Sequence, residues 1–149
     1  REPLIVRLPG RIPAGSFSAA PVTSPDFYPT LLEIAGLDPM PAQHCDGVSF
    51  LPALSGRAGF DRGPIFWHYP HYGNQGGTPG CSVRMGDWKL IEFFEDGRLE
   101  LYDLRTDAGE TRNLAAVETA VAADLRRRLA GWRESVNALV PARNPDWTG

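Results

Sequence analysis

Seven apolar residues towards the C-terminal end, Val117, Val121, Leu125, Leu129, Trp132, Val136 and Leu139, recur every three or four positions. That spacing gathers them on one face of an α-helix running from about residue 116 to about residue 140. One apolar stripe is stable only against another apolar layer, so the residues before the helix have to supply it. They are short apolar runs cut by turn signals. Ile65-Phe66-Trp67-His68-Tyr69, residues 81–85, 88–94 and 99–104 read as strands. Gly86-Asp87 and Asp96-Gly97 are hairpin signals, which join the last three strands into an antiparallel meander. Residues 63–149 are therefore expected to form a self-contained α+β unit. It is a small antiparallel sheet of about four strands packed on one long C-terminal helix, with Asn113 or a neighbour as the helix cap.

Residues 1–62 have a different texture. Residues 4–8 are apolar and rich in β-branched side chains, without alternation, and end at Pro9-Gly10. This predicts a strand covered on both faces, as in an α/β sheet. Ser24-Pro25-Asp26 offers a cap, a first-turn proline and an acid at a helix start. Phe27, Leu31 and Ile34 follow at helical spacing, Pro29 puts the start near Tyr28, and Gly36 ends the pattern. Residues 37–62 are a long connection with one helical turn inside 48–54, and a connection of that length is functional or wraps over another surface. The expected fold is thus the end of an α/β domain, residues 1–62, followed by the α+β unit. The chain opens on Arg1-Glu2-Pro3 with no Met and no signal peptide, directly into an apolar run. This predicts a fragment of a longer polypeptide. Residues 4–8 and 27–35 would then carry apolar faces without partners, and self-association of the isolated chain is expected.

Hydrophobic residues make up 42% and charged residues 22% of the 149. These values exclude a disordered tail, and no apolar run approaches the roughly 20 residues of a membrane span. The net charge is −3 and the basic residues are dispersed. Arg126-Arg127-Arg128 sits inside the helical pattern and reads as a solvated face, so no nucleic-acid partner is expected. Cys45 and Cys81 can pair once or both stay free, which leaves the compartment open.

Chemistry-bearing residues concentrate where the first strand leaves the sheet, in His68-Tyr69-Pro70-His71-Tyr72 and the Gly-rich loop of residues 73–80. Imidazoles and phenols on a loop held by a sheet can hydrogen-bond an anion or sugar hydroxyls. Packing and plain exposure are the alternatives. As a metal pair the histidines lack a third ligand at a recognisable spacing. The Gly-rich loop can present backbone N–H groups to an anion, but no Gly-Lys-Ser or Gly-Lys-Thr follows it as in a P-loop. Asp103, Asp107 and Glu110 suggest a cation site, yet their spacing departs from an EF-hand, and Asx-turns explain them more simply. His44 beside Cys45 does not make a nucleophile, because sequence neighbours rarely face each other productively. From these residues alone no reaction follows.

Five stretches, in order, resemble the C-terminal third of the sulfatase family, within the alkaline phosphatase-like superfamily. Residues 1–10, Arg-Glu-Pro-Leu-Ile-Val-Arg-Leu-Pro-Gly, look like the strand and turn after the family's last active-site lysine. Asp26-Phe27-Tyr28-Pro29-Thr30-Leu31 looks like its Asp-x-x-Pro-Thr-Leu helix, and Asp46-Gly47-Val48-Ser49-Phe50-Leu51-Pro52-Ala53-Leu54 like its Asp-Gly-x-Ser-x-x-Pro-x-Leu segment. Val83-Arg84-Met85-Gly86-Asp87-Trp88-Lys89-Leu90-Ile91 matches its paired-strand signature. Leu101-Tyr102-Asp103-Leu104, then Asp107-Ala108-Gly109-Glu110, then Asn113-Leu114 match its closing signature. Leu8 stands where Trp is common and Ala108 where Pro is common.

The resemblance implies hydrolysis of sulfate esters. In that family a formylglycine made from the Cys of Cys-x-Pro-Ser-Arg attacks sulfur beside a calcium ion held by Asp and Asn side chains. Neither Cys45 nor Cys81 lies in such a pattern, and no segment matches the calcium motifs. The expectation is therefore no catalytic residue, metal ligand or cofactor in these residues, with calcium and formylglycine implied for the full-length enzyme. The fragment would shape the substrate pocket, with His68, His71 and Tyr72 as substrate contacts and Arg1 close to the site. The implied partners are a sulfated small molecule or sugar and the missing N-terminal part of the enzyme. A periplasmic, secreted or lysosome-like setting suits the family. The rival expectations are a non-catalytic module for sulfated ligands, and part of a related phosphatase or phosphodiesterase.

Overall fold

The computed structural model describes residues 2–57, 59–74, 76–142 and 144–146. The chain divides into two compact units, Arg1–Arg62 and Gly63–Gly149.

In the first unit, a single 3-10 turn, Ser24–Asp26, leads into helix α1, Phe27–Ala35. Pro25 fits the first turn because its missing N–H would have no partner there. Gly36 closes α1 in the left-handed region at φ 72°, and Leu37 N then donates to Leu32 O at 2.9 Å. Helix α2, Leu51–Leu54, is shorter than the turn expected over 48–54. Residues 2–8 form no strand, contrary to the expectation for 4–8. An extended segment becomes a strand only through a ladder partner, and no described residue pairs with this one. Ile5 is left 93% exposed.

The second unit holds strands β1, Ile65–Tyr69; β2, Gly80–Met85; β3, Trp88–Phe93; and β4, Leu99–Asp103. All neighbours are antiparallel in the order β1-β2-β3-β4. Met85 pairs with Trp88 across the two-residue turn, where Gly86 takes φ 58°. Helix α3, Thr119–Ser135, covers one face. Cys81, Val83, Leu90 and Leu101 from the sheet bury themselves against Ala122, Leu125 and Leu129. Phe66 of β1 stacks on Trp132 with centroids 4.9 Å apart.

Helix α3 is shorter than the stripe over 116–140. Asn137 adopts φ 50° and ends it, and Val117 and Leu139 fall outside it, 68% and 83% exposed. Asn113 is not its cap. The Asn113 side chain accepts from Leu101 N at 3.0 Å and from Ala115 N at 2.9 Å, and donates to Leu99 O at 3.1 Å. It thereby satisfies the outer edge of β4, which would otherwise present unpaired backbone groups. No described helix is long and apolar enough to cross a membrane.

Candidate functional site

Strand β1 sends its side chains alternately to the two faces of the sheet, so its aromatic and imidazole groups part company. His68 turns towards the α3 side, with its ring 5.5 Å from that of Phe94. Its Nε2 lies 2.8 Å from Leu139 O, while its Nδ1 is buried without a partner. A carbonyl only accepts, so Nε2 is the donor of this bond. Trp67 and Tyr69 face the other way and are exposed.

Beyond β1 the chain turns outward. His71 is exposed and meets the ring of Tyr69 edge-on at 5.5 Å. Tyr72 is exposed, and its hydroxyl donates to the Glu95 carboxylate on the β3–β4 loop. That hydrogen bond raises the Tyr72 phenol above its ordinary value. The Gly-rich loop folds back on itself, with Gly76 N donating to Gly73 O at 3.2 Å. A Cβ on Gly73 would lie 2.6 Å from Gly76 O, so this approach requires glycine. His71 and Tyr72 thus both face solvent, whereas His68 is half-buried on β1 and bonded to Leu139 O in the segment that follows α3. Arg1, also expected near the site, lies outside the described residues.

Of the three acids around the β4–α3 connection, two accept from nearby backbone N–H groups and the third pairs with a lysine. Asp103 accepts from Arg105 N at 3.1 Å and from Thr106 Oγ1 at 3.0 Å. Asp107 accepts from Arg112 N and from Thr111 N, both at 2.9 Å, which lowers its carboxyl below the ordinary value. Glu110 grips Lys89 Nζ with both oxygens, at 2.8 and 2.7 Å. These are Asx-turns and an ion pair. Among the described residues no group of three or more His, Cys, Asp or Glu side chains can hold a metal ion, so a calcium site does not fit them. Both cysteines are free thiols, Cys45 exposed and Cys81 buried. Burial pushes the Cys81 thiol up to about 11, with Arg133 opposing and Glu92 adding. A buried, protonated thiol is a poor nucleophile.

Two charged centres had no sequence signal, because their partners are far apart in the chain. In the first unit Asp26 is fully buried and accepts from Thr23 N at 2.8 Å, Val48 N at 2.9 Å and Arg62 Nη2 at 2.8 Å. Thr30 Oγ1 donates to Asp26 O at 2.6 Å and accepts from Phe50 N at 3.0 Å. Gly47 sits where a Cβ would be 2.2 Å from Pro25 O. The motif acid Asp26 and Gly47 therefore lock α1 to the following connection. In the second unit Glu92, 6% exposed, accepts from Arg126 at 2.9 Å and Arg133 at 2.8 Å and ties α3 to β3.

The second unit is thus an α+β subdomain, an antiparallel four-stranded sheet covered on one face by a single helix. The chain matches the family model described as N-sulphoglucosamine sulphohydrolase, C-terminal, over residues 1–135, and it belongs to the sulfatase family. It is 36% identical over 153 residues to a sulfatase of Formosa agariphila, covering 93% of this chain and 28% of that protein. It is 36% identical over 119 residues to an N-acetylglucosamine-6-O-sulfatase of Bacteroides thetaiotaomicron, covering 76% of this chain and 21% of that protein. A structure solved in complex with its substrate D-glucosamine-2-N,6-O-disulfate superposes with a TM-score of 0.71 at 28% identity, covering 97% of this chain and 30% of that one. The chain thus spans less than a third of the length of these relatives.

Proposed function

We propose that this chain is the substrate-recognising C-terminal part of a sulfatase acting on sulfated amino sugars, and that residues outside this sequence supply the nucleophile and the calcium ligands. The family match over residues 1–135 carries the reading. The relatives' substrates, an N-acetylglucosamine 6-O-sulfate and a glucosamine disulfate, supply the sugar class.

His71 and Tyr72 are the contacts. Both stand exposed on a loop anchored by β1, His71 as a hydrogen-bond donor for a sulfate oxygen or sugar hydroxyl. Tyr72 already donates to Glu95, so its oxygen can also accept from a sugar hydroxyl. His68 has a supporting part: its bond to Leu139 O fixes the root of the loop. These groups bind and orient, and the described residues bring no nucleophile to the same place.

The test is made in the parent enzyme with glucosamine 6-sulfate. His71→Ala should raise KM about tenfold, the loss of roughly 1.4 kcal/mol of uniform binding, with kcat within about twofold. An unchanged KM in both His71→Ala and Tyr72→Phe would remove the loop from the substrate site.

A further inference from the structure

The face of the sheet turned away from α3 carries a trough with a definite cross-section. In register across β1, β2 and β3 stand Trp67, Ser82 and Ile91, and two positions on, Tyr69, Gly80 and Phe93. Each row is large, small, large, so the middle strand forms the floor and the outer strands the rims. The floor is fixed at Gly80, where a Cβ would lie 2.9 Å from Glu92 O. The resulting open space is about 190 Å³, with Thr78 and Lys89 also among its lining residues. Trp67 and Tyr69 are 44% and 57% exposed.

Apart from one lysine, the polar groups of the trough are uncharged. Trp67 Nε1, Tyr69 Oη, Thr78 Oγ1 and Ser82 Oγ hydrogen-bond to no described residue, and the Trp67 and Tyr69 side chains stand exposed. The cation lining it, Lys89, is already held by both oxygens of Glu110. Flat aromatic rims match the C–H face of a pyranose ring, and the hydroxyls and indole N–H match its rim of hydroxyls. Arg98, whose guanidinium lies 3.7 Å over the ring of Phe93, is paired with Asp96 at 3.1 Å, so with both cations committed a sulfate group finds no free charge here and the open aromatic faces are those of Trp67 and Tyr69. The trough is continuous with the proposed substrate loop, because the Tyr69 ring that forms its rim also meets His71.

We infer that this trough is a second sugar subsite, taking an unsulfated pyranose residue next to the sulfated one, so that the natural substrate is an oligosaccharide. The inference rests on the reading of the His71 loop for the identity of the glycan.

Saturation-transfer NMR on the 149-residue chain with N,N′-diacetylchitobiose tests it, with inorganic sulfate titrated separately. Saturation should reach the ring C–H protons, Trp67→Ala should weaken binding about tenfold, and Trp67→Phe should stay within about threefold by keeping the stack. Ser82→Val, which raises the floor with a residue suited to a strand, should weaken binding likewise, and it decides the matter if Trp67→Ala misfolds. Absence of transfer at several millimolar, or wild-type binding by Ser82→Val and any folded Trp67→Ala, overturns the subsite. If sulfate shifts neither His71 nor Tyr72 while the Trp67-dependent binding persists, the loop reading falls and the trough stands.

Discussion

Arg62 and Asp26 are 36 positions apart and form the most consequential side-chain pair of the first unit. The Asp26 side chain is fully buried and that of Arg62 is 8% exposed, so neither charge has water as an alternative partner. Breaking a buried pair by deleting one member strands the other charge, at a cost of about 3–5 kcal/mol. Arg62→Ala should lower the unfolding free energy of the chain by that amount, read by urea denaturation. A change below about 1 kcal/mol would mean that Asp26 is rehydrated and the lock is weak. The sequence marked Asp26 as a motif acid at a helix start and did not mark Arg62, because a pairing across the long connection leaves no local periodicity. The same limit applies at the loop. His68, His71 and Tyr72 were legible as a cluster of donors, but their partners were not: His68 sits within β1 and bonds to Leu139 O, while Tyr72 lies beyond the end of the strand and bonds to Glu95.

At the scale of elements, the docking of α3 on the sheet combines an apolar seam with an ionic clasp. Leu129 is fully buried against the strands, and Glu92 receives Arg126 and Arg133 from the same helix. Leu129→Ala removes three carbons and leaves a cavity, which should cost about 2–5 kcal/mol and lower the cooperativity of thermal unfolding followed by near-ultraviolet circular dichroism. A cost under 1 kcal/mol would mean that the seam collapses freely around the gap. The elements of this unit were legible because their signals are local: hairpin residues at 86–87 and 96–97, and a stripe at helical spacing. The ends of α3 were not. Asn113 is used by the edge of β4, and Asn137 enters the left-handed region before the apolar stripe runs out. The strand expected over 4–8 failed for a related reason. Propensity describes what a segment can do, and pairing is decided by a neighbour.

At the scale of the whole molecule, the chain has the family's C-terminal sequence and fold over residues 1–135, and its described residues assemble no metal cluster. Its acids are spent on turns and ion pairs, and its buried thiol is held protonated. On the proposed reading, ligand binding lies at one end of the sheet, where the His71–Tyr72 loop adjoins the trough of Trp67 and Tyr69. The division of labour we propose is recognition in this chain and bond cleavage by residues outside this sequence. The measurement that tests this most directly is turnover of glucosamine 6-sulfate by the purified 149 residues with calcium present, set beside an equal amount of the parent enzyme. The account predicts sulfate release by the parent enzyme alone. Sustained release by the 149 residues, above the rate without protein, would contradict it.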